Sequence, residues 1–335
     1  MTGLSLAAKG LPAAVLAASV TMVAAGEFAR QPLAQANAAL QAGEADKALA
    51  LLRSLPNSGF DLPEANNLQC RVLFTLERWD EAVAACEQAV TLDERNSDFH
   101  MWLGRALGEK ASRASFLSAF SLGKRVRMEF EEAVRMNPHS ADALADLGEF
   151  YRSAPAIIGG GLDKAERVAR QLDSLDPARA HELRGRIAEE RKDVSGSERE
   201  YKEAIAVSPH PAFRWTTLAD FYRRRQRWPE MDWAIQSCVN AVERDRLAGV
   251  PLFDGASLLL DANRDLPLAA KMLEGYLAGS AKTEEAPAFV AYTRLARVKE
   301  RLGDRAAAER EQAAALALAR EYKPAQDLNI QETRH

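Results

Sequence analysis

The amino-acid sequence predicts an all-α protein built as a solenoid of about eight helical hairpins. Apolar residues recur at helical spacing beyond residue 34, with almost no alternating runs of β-branched residues. The segments MNPHSA, LDPARA and VSPHPA place Pro138, Pro177 and Pro209 just after such apolar stretches, where proline ends a helix. Because this punctuation returns at regular intervals, it indicates a repeated unit rather than one irregular helical core.

The unit itself is an aromatic residue, a leucine, a small residue and a second aromatic residue at fixed spacing. The segment WTTLADFY carries this spacing from Trp215 to Tyr222, and the pattern begins again at Phe253 and Tyr292. The step of about 38 residues is slightly longer than the roughly 34 of an ideal helical-hairpin repeat, so we expect the excess in loops. One hairpin cannot bury its apolar face alone, and the hairpins must therefore stack.

This pattern resembles the tetratricopeptide repeat (TPR) family over residues 34–320. The resemblance implies a right-handed superhelix whose concave groove holds a peptide or protein. Small residues such as Gly104, Gly148 and Gly185 would let paired helices approach closely. Residues 321–335 are left as a C-terminal tail.

A second, shorter resemblance involves the segments WLGRALGEKA and FSLGKRVRMEFEEAVRMNPHSADALADLGEF. They are similar to the helical core of regulator-of-microtubule-dynamics proteins, and to exported bacterial repeat proteins. This similarity implies no chemistry, and we do not transfer a cytoskeletal role to an exported protein.

The composition is that of a globular protein without a nucleic-acid partner. Hydrophobic residues make up 47% of the 335 positions, which is enough for packed cores. The formal net charge is -4 with both signs interleaved, whereas binding to nucleic acid through counterion release needs a basic face. We therefore expect a protein or peptide as the partner.

The N-terminus is typical of a secretory signal. Lys9 precedes the apolar run LPAAVLAASVTMVAA, which at about 15 residues is shorter than the roughly 20 needed to span a membrane. Val23 and Ala25 supply the small residues that a signal peptidase accepts. We expect a signal peptide over 1–25, a linker over 26–33 and an exported, periplasmic protein. The alternative is an uncleaved N-terminal anchor, which would be the chain's one attachment to a membrane.

Three cysteines are too few for a disulfide scaffold. Cys70 and Cys86 are spaced so that they could face each other across one hairpin, and an oxidising compartment permits a bond between them. We expect them instead to be small apolar fillers, because free cysteine behaves as a buried hydrophobe. The disulfide is the alternative.

Two neighbouring units contain extra residues, over 113–125 and 154–162. Insertions in adjacent hairpins should emerge near each other, so we expect these segments to form a specialised surface. Mutual burial of apolar side chains would bring one phenylalanine of the first segment onto one isoleucine of the second. The residues concerned are Phe116, Phe120, Ile157 and Ile158.

The second insertion contains the glycine run Gly159–Gly161. A phosphate-binding P-loop needs a preceding strand and a closing Gly-Lys-Ser/Thr, but here a helical segment precedes the run and Leu162-Asp163-Lys164 follows it. We interpret the run as a long turn between helices whose glycines take positive φ.

Catalytic signals are thin. The five histidines lack metal-ligand spacing, and no serine lies in a nucleophile elbow, so we expect no catalytic residue, metal or cofactor. There are two basic clusters, one at Lys124 and Arg125 and one at Arg223 and Arg224. Their side chains are either solvated charges on helices or donors of bidentate hydrogen bonds to the carboxylates of an acidic peptide.

The function that the sequence favours is a non-enzymatic interaction or assembly scaffold. The alternative is an enzyme or small-molecule carrier with a site between segments 113–125 and 154–162. The residues expected to touch a partner are Phe116, Phe120, Lys124, Arg125, Ile157, Ile158, Arg223 and Arg224.

Overall fold

A computed structural model describes residues 31–55, 62–244, 249–280 and 282–330. The expected signal peptide and most of the expected linker lie outside these residues. All regular secondary structure in the described ranges is helical. None of the helices found there combines the length and the apolar character needed to cross a bilayer.

Sixteen helices of the described chain pair into eight consecutive hairpins, which confirms the predicted fold class. The first helices of the hairpins are α1 (31–42), α3 (Leu62–Thr75), α5 (Ser97–Ser112), α7 (Ala141–Ser153), α9 (Pro177–Glu190), α11 (Pro211–Arg224), α13 (Val250–Asp261) and α15 (Ala288–Arg301). The second helices are α2 (Ala45–Arg53), α4 (Trp79–Leu92), α6 (Phe116–Met136), α8 (Leu162–Leu172), α10 (Val194–Val207), α12 (Trp228–Arg244), α14 (Leu266–Ala278) and α16 (Arg305–Leu318). A short helix, α17 (Lys323–Gln326), follows.

Six of the eight hairpins turn in the same way. One residue in the left-handed region follows the first helix, and the amide after it reaches back to a carbonyl of that helix, as in a Schellman motif. These residues are Gly43, Glu77, Lys192, Gln226, Asn263 and Gly303. The exceptions are the α5–α6 and α7–α8 hairpins, which are the two units in which the sequence shows extra residues.

The first insertion lengthens a helix instead of forming a loop. Helix α6 begins at Phe116 and runs for 21 residues, compared with 14 for α4 and α10. Ser115 occupies its N-cap in extended backbone, so the additional residues extend α6 at its N-terminal end.

The second insertion is a structured turn, as its glycines predict. A single 3-10 turn at Ala156–Ile158 packs against α6, and Gly159 and Gly161 follow with φ of 101° and 154°. Lys164 donates to the carbonyl of Gly159 at 2.7 Å. In a P-loop a lysine at such a position would bind phosphate, whereas here the Lys164 ammonium group holds the turn closed.

Small residues allow the close helix contacts expected of them. A Cβ at Gly104 would lie 2.5 Å from Phe130, and one at Gly148 would lie 2.4 Å from Leu183. Both distances are below van der Waals contact, so a larger side chain cannot enter without displacing its neighbour.

Cys70 and Cys86 form a disulfide, and the expectation of two free cysteines is therefore wrong. The residues face each other from α3 and α4, with both side chains fully buried and their Cα atoms 5.2 Å apart. That separation is within the range that a disulfide bridges. The two cysteines therefore fill space between the helices, as expected, and are also bonded to each other. Cys238 is buried and free.

The last hairpin returns to the first, so the solenoid closes into a ring. The apolar core that contains α1 to α9 also includes Phe289, Ala315, Ala319, Tyr322 and Ala325 from the C-terminal end. Within this C-terminal group the rings of Phe289 and Tyr322 meet edge to face, and the Tyr322 hydroxyl donates to Glu77, which follows α3. Gly43 approaches the backbone of Ala288 so closely that a Cβ would lie 2.3 Å from its nitrogen.

Ion pairs join the same two ends. Arg71 donates two hydrogen bonds to Glu284, at 2.8 and 2.5 Å, and Arg78 pairs with Glu321 at 2.6 Å. Because each hairpin adds a small rotation, eight of them bring the ends together. The concave face that we expected as an open groove is thus enclosed where the ends meet, and residues 321–330, expected as a tail, contribute to the junction.

Candidate functional site

The first helices of the hairpins form the inner face of the ring, and cavities open on it, two of which have the size of ligand sites. One, the charged cavity, has a volume of about 640 Å³ and is lined by residues of α7, α9, α11 and α13. The other, the closure cavity, has a volume of about 580 Å³ and lies where the last hairpin meets α3, α5 and α7. Both volumes are in the range of ligand pockets.

Ion pairs dominate the charged cavity. Arg186 donates to Glu149 at 3.1 Å, and Arg152 bonds the same carboxylate. Burial opposes the charged form of Glu149, yet the hydrogen bond from Arg152 and the charge of Arg186 hold its pKa below the usual range. On the next helix, Arg224 and Arg225 each pair with Glu189 at 2.7 Å. The arginines of this cavity therefore already have carboxylate partners.

Asp254 also lines the charged cavity, but its pKa is raised, whereas that of Glu149 is lowered. Burial among the inner helices raises its pKa to about 6, although the nearby charge of Arg294 acts in the opposite direction. The pKa of Arg294 is lowered, because burial outweighs the opposing effect of the Asp254 charge. The two groups thus influence each other across the edge between the cavities.

One wall of the closure cavity is aromatic. Phe74 meets Trp79 and Trp102 edge to face, with ring centres 5.1 and 5.6 Å apart. The guanidinium of Arg105 lies over the Trp102 ring at 4.8 Å and pairs with Asp146 at 2.6 Å. Helices α3, α4 and α5 thus provide an aromatic surface on this side of the cavity.

The opposite wall comes from α13, α15 and the residues after α16. Arg294 lies over the ring of Phe253 at 4.2 Å and donates to Ser257, and Arg297 follows one helical turn later. The hydroxyl of Tyr322 donates to Glu77 at 3.2 Å and so bridges the two walls. This cavity exists because the two ends of the chain meet.

The apolar residues predicted to bind a partner lie on a different surface, formed by α6 and the 3-10 turn. Phe116 is 85% exposed and Ile157 is 75% exposed, so the mutual burial that we expected does not occur between these two. Ile158 packs at Gly123 of α6, where its Cδ1 would lie 2.8 Å from an added Cβ. The two insertions are therefore neighbours, with exposed apolar side chains that the chain itself leaves uncovered.

The charged residues predicted for the site are engaged within the chain. Lys124 lies over the ring of Phe120 at 4.3 Å, and Arg125 pairs with Glu87 at 2.6 Å. Arg223 pairs with Asp220 at 2.7 Å. Of the predicted residues, Arg224 lines one of the two inner cavities.

Sequence reasoning missed the residues of the closure cavity. Phe253 was interpreted only as a repeat position, and Trp102, Arg294 and Arg297 were not considered as site residues. Arg294 and Arg297 are three positions apart, so both lie on one face of α15, and this spacing could have indicated a shared site. Nothing in the sequence placed that face opposite α3 and α5.

The hairpins, their turns and the small-residue contacts define the class of the protein as an all-α solenoid of the tetratricopeptide-repeat type. The described residues hold no group of three or more histidine, cysteine or acidic side chains placed to bind a metal ion.

Known proteins are similar to this chain at low identity. A thermophilic TPR protein of Thermus thermophilus is 19% identical, with 58% of this chain and 98% of that chain covered and a TM-score of 0.49. The C-terminal part of a TPR repeat-containing protein from Cytophaga hutchinsonii is 12% identical, with 76% and 97% covered and a TM-score of 0.41.

Superkiller complex protein 3 of Mus musculus is 27% identical over 149 residues, which are 42% of this chain. The chain spans 8% of that protein's length. No family model matches the sequence.

Proposed function

We propose that the protein is a non-enzymatic interaction module that holds a peptide or protein segment on the inner face of its ring. The supporting observation is that the first helices of successive hairpins line one inner surface that contains the charged cavity and the closure cavity. A repeat array presents such a surface as a single extended binding face. Its polar groups are pre-paired, as at Glu149 and Glu189, so they are held in fixed positions for a partner.

Export remains part of this proposal. The apolar run over 11–25 is the length of a signal-peptide core, and the disulfide between Cys70 and Cys86 is of the kind that oxidising compartments maintain. We expect the mature protein to begin at or near Gly26, which N-terminal sequencing would reveal. Full-length chain recovered from the cytosol would contradict it.

The alternative, an enzyme or small-molecule carrier with a site between segments 113–125 and 154–162, has less support. The cations there are used within the chain, since Arg125 pairs with Glu87 and Lys164 closes the glycine turn. A site for chemistry would need polar groups that converge on a pocket.

Photo-cross-linking from single positions tests where a partner binds. A photoreactive residue replaces Thr217 in the charged cavity, Gln171 on an exposed position of α8, or Leu117 at the insertions, where the side chain is 81% exposed. With mature protein in its native envelope extract, we expect adducts from position 217 and none from 171. Adducts from 117 or 171 without any from 217 would contradict binding on the inner face.

A further inference from the structure

Two arginines of the closure cavity differ from the other half-buried arginines of the described chain, because they form no ion pair. Every other half-buried arginine there, from Arg71 to Arg264, has a carboxylate oxygen within 4.0 Å. Arg294 and Arg297 are half-buried and form no ion pair. Both line the closure cavity from the same face of α15.

The surroundings of Arg294 make an unpaired charge costly. Its guanidinium packs over Phe253, and its one hydrogen bond is donated to the neutral hydroxyl of Ser257. The charge of Asp254 favours the charged form of Arg294 without forming an ion pair with it, and Arg297 adds a second positive charge that opposes the first. A buried charge without a partner is destabilising, and an anion placed between two guanidinium forks would relieve that cost through charge-assisted, bidentate hydrogen bonds.

The opposite wall specifies what the anion must carry. Phe74, Trp79 and Trp102 line the cavity, with Arg105 over the Trp102 ring and Arg113 over the Trp79 ring. This aromatic lining suits an aromatic or branched apolar group rather than a hydrated ion.

Four acidic residues also line the cavity: Asp146 and Glu284, which pair with Arg105 and Arg71, and Glu77 and Glu285. A doubly charged phosphate would therefore meet more repulsion than a singly charged carboxylate.

We propose that the closure cavity is a binding site for an organic monocarboxylate with an aromatic or branched apolar body, held by Arg294 and Arg297 against the aromatic wall. The carboxylate belongs either to a free small acid or to the last residue of a peptide. Such a ligand touches the second and third hairpins and the last one together, and therefore stabilises the closed ring. This inference concerns a site of its own and does not depend on a partner binding at the charged cavity.

Isothermal titration of the mature protein tests the site with four probes: 3-phenylpropionate, its primary amide, phenyl phosphate, and a tripeptide ending in phenylalanine. We expect the two carboxylates to bind at least about tenfold more tightly than the amide or the phosphate, since about 1.4 kcal/mol corresponds to tenfold. Tighter binding of the tripeptide would identify a peptide source, and equal or tighter binding of 3-phenylpropionate a free acid. Equal binding of acid and amide would overturn the proposal.

Variants identify the residues. Arg297→Gln should weaken carboxylate binding at least about tenfold. Arg297→Lys keeps the charge but loses the bidentate guanidinium geometry, so its affinity should lie between those of the wild type and Arg297→Gln. Arg310→Gln, on an exposed position of α16, is the matched control and should bind like the wild type. Arg294 is left unchanged because its contacts with Phe253 and Ser257 make it part of the packing.

A thermal melt of each variant without ligand checks folding, and the rise of the melting temperature with 3-phenylpropionate reports binding independently. Undiminished binding by a folded Arg297→Gln variant would contradict the assignment. Cross-linking at position 217 reports separately on the proposed interaction module, so either idea can fail without the other.

Discussion

At the scale of single residues, glycine positions determine how closely the paired helices pack. Gly148 of α7 faces Leu183 and Val168, and a Cβ there would lie 2.4 Å from the first and 3.2 Å from the second. We expect Gly148→Leu to lower the free energy of unfolding by about 1–3 kcal/mol, because overpacking forces neighbouring side chains and backbone to move. Urea titration followed by circular dichroism measures the change.

Gly108 is the matched control for this substitution. It lies within helix α5, and no atom apart from the neighbouring backbone of that helix lies within 4 Å of the position that a Cβ would occupy. Gly108→Ala should leave stability unchanged or raise it by up to about 1 kcal/mol, because alanine favours helix. If Gly148→Leu unfolds at the same urea concentration as the wild type, the contact between α7 and α9 is not as close as described.

Asp254 should make the stability of the protein depend on pH. Its folded pKa is raised to about 6 by burial, above the roughly 3.9 of the unfolded chain, so between these values the folded state holds a proton that the unfolded state has lost. Its contribution therefore makes stability fall as the pH rises from about 4 to about 6.

Asp254→Asn removes this dependence. Measured by chemical unfolding at several pH values, the variant should gain stability relative to the wild type as the pH rises through that window. A wild type that gains stability relative to the variant over the same window would show that Arg294, rather than burial, determines the ionisation of Asp254.

At the scale of elements, the disulfide fixes the second hairpin. Cys70 and Cys86 are 16 positions apart and join α3 to α4. Closing a loop of about 15 residues stabilises by about 3 kcal/mol in the chain-entropy model. We expect Cys86→Ser, or reduction of the wild type, to lower the melting temperature. Reductant should not change the melting of Cys86→Ser, since Cys238 is already free and buried.

The hairpins were predictable from the sequence because each depends on local spacing. Proline punctuation, the aromatic and small-residue positions and the two enlarged units all correspond to features of the structure. The extension of α6 was missed because extra residues were assigned to a loop by counting against the repeat length. Ser115 followed by apolar residues at 116, 117 and 120 is a helix-start signal that counting overlooked.

At the scale of the whole molecule, the contacts between the ends make the inner face enclosed. Arg71→Glu should open the ring by setting two carboxylates against each other at Glu284, and small-angle scattering should show a larger radius of gyration. The charge exchange Arg71→Glu with Glu284→Arg should restore the wild-type radius. Lys47→Glu, on an exposed position of α2, is the control and should leave the radius unchanged.

If Arg71→Glu has the same radius as the wild type, the packing of Phe289 and Tyr322 against the apolar core of α1 to α9 holds the ends without this ion pair. Closure could not be predicted from the sequence, because its partners are 213 positions apart at Arg71 and Glu284. Repeat spacing specifies each hairpin and its neighbour, whereas closure depends on the summed rotation of all eight. The predicted partner residues therefore came from the insertions, and the closure cavity was not anticipated.

The meeting of α15 to α17 with α1 to α3 also changes how the molecule should lose its structure. A linear repeat array has two boundaries, each with a single neighbour, and unravels from them first. Here the outermost hairpins each have neighbours on both sides, so fraying has no preferred starting point and local opening must first break the junction. The amide hydrogens of α15 should consequently exchange with solvent as slowly as those of α9, halfway round, instead of showing the gradient typical of an array with free ends.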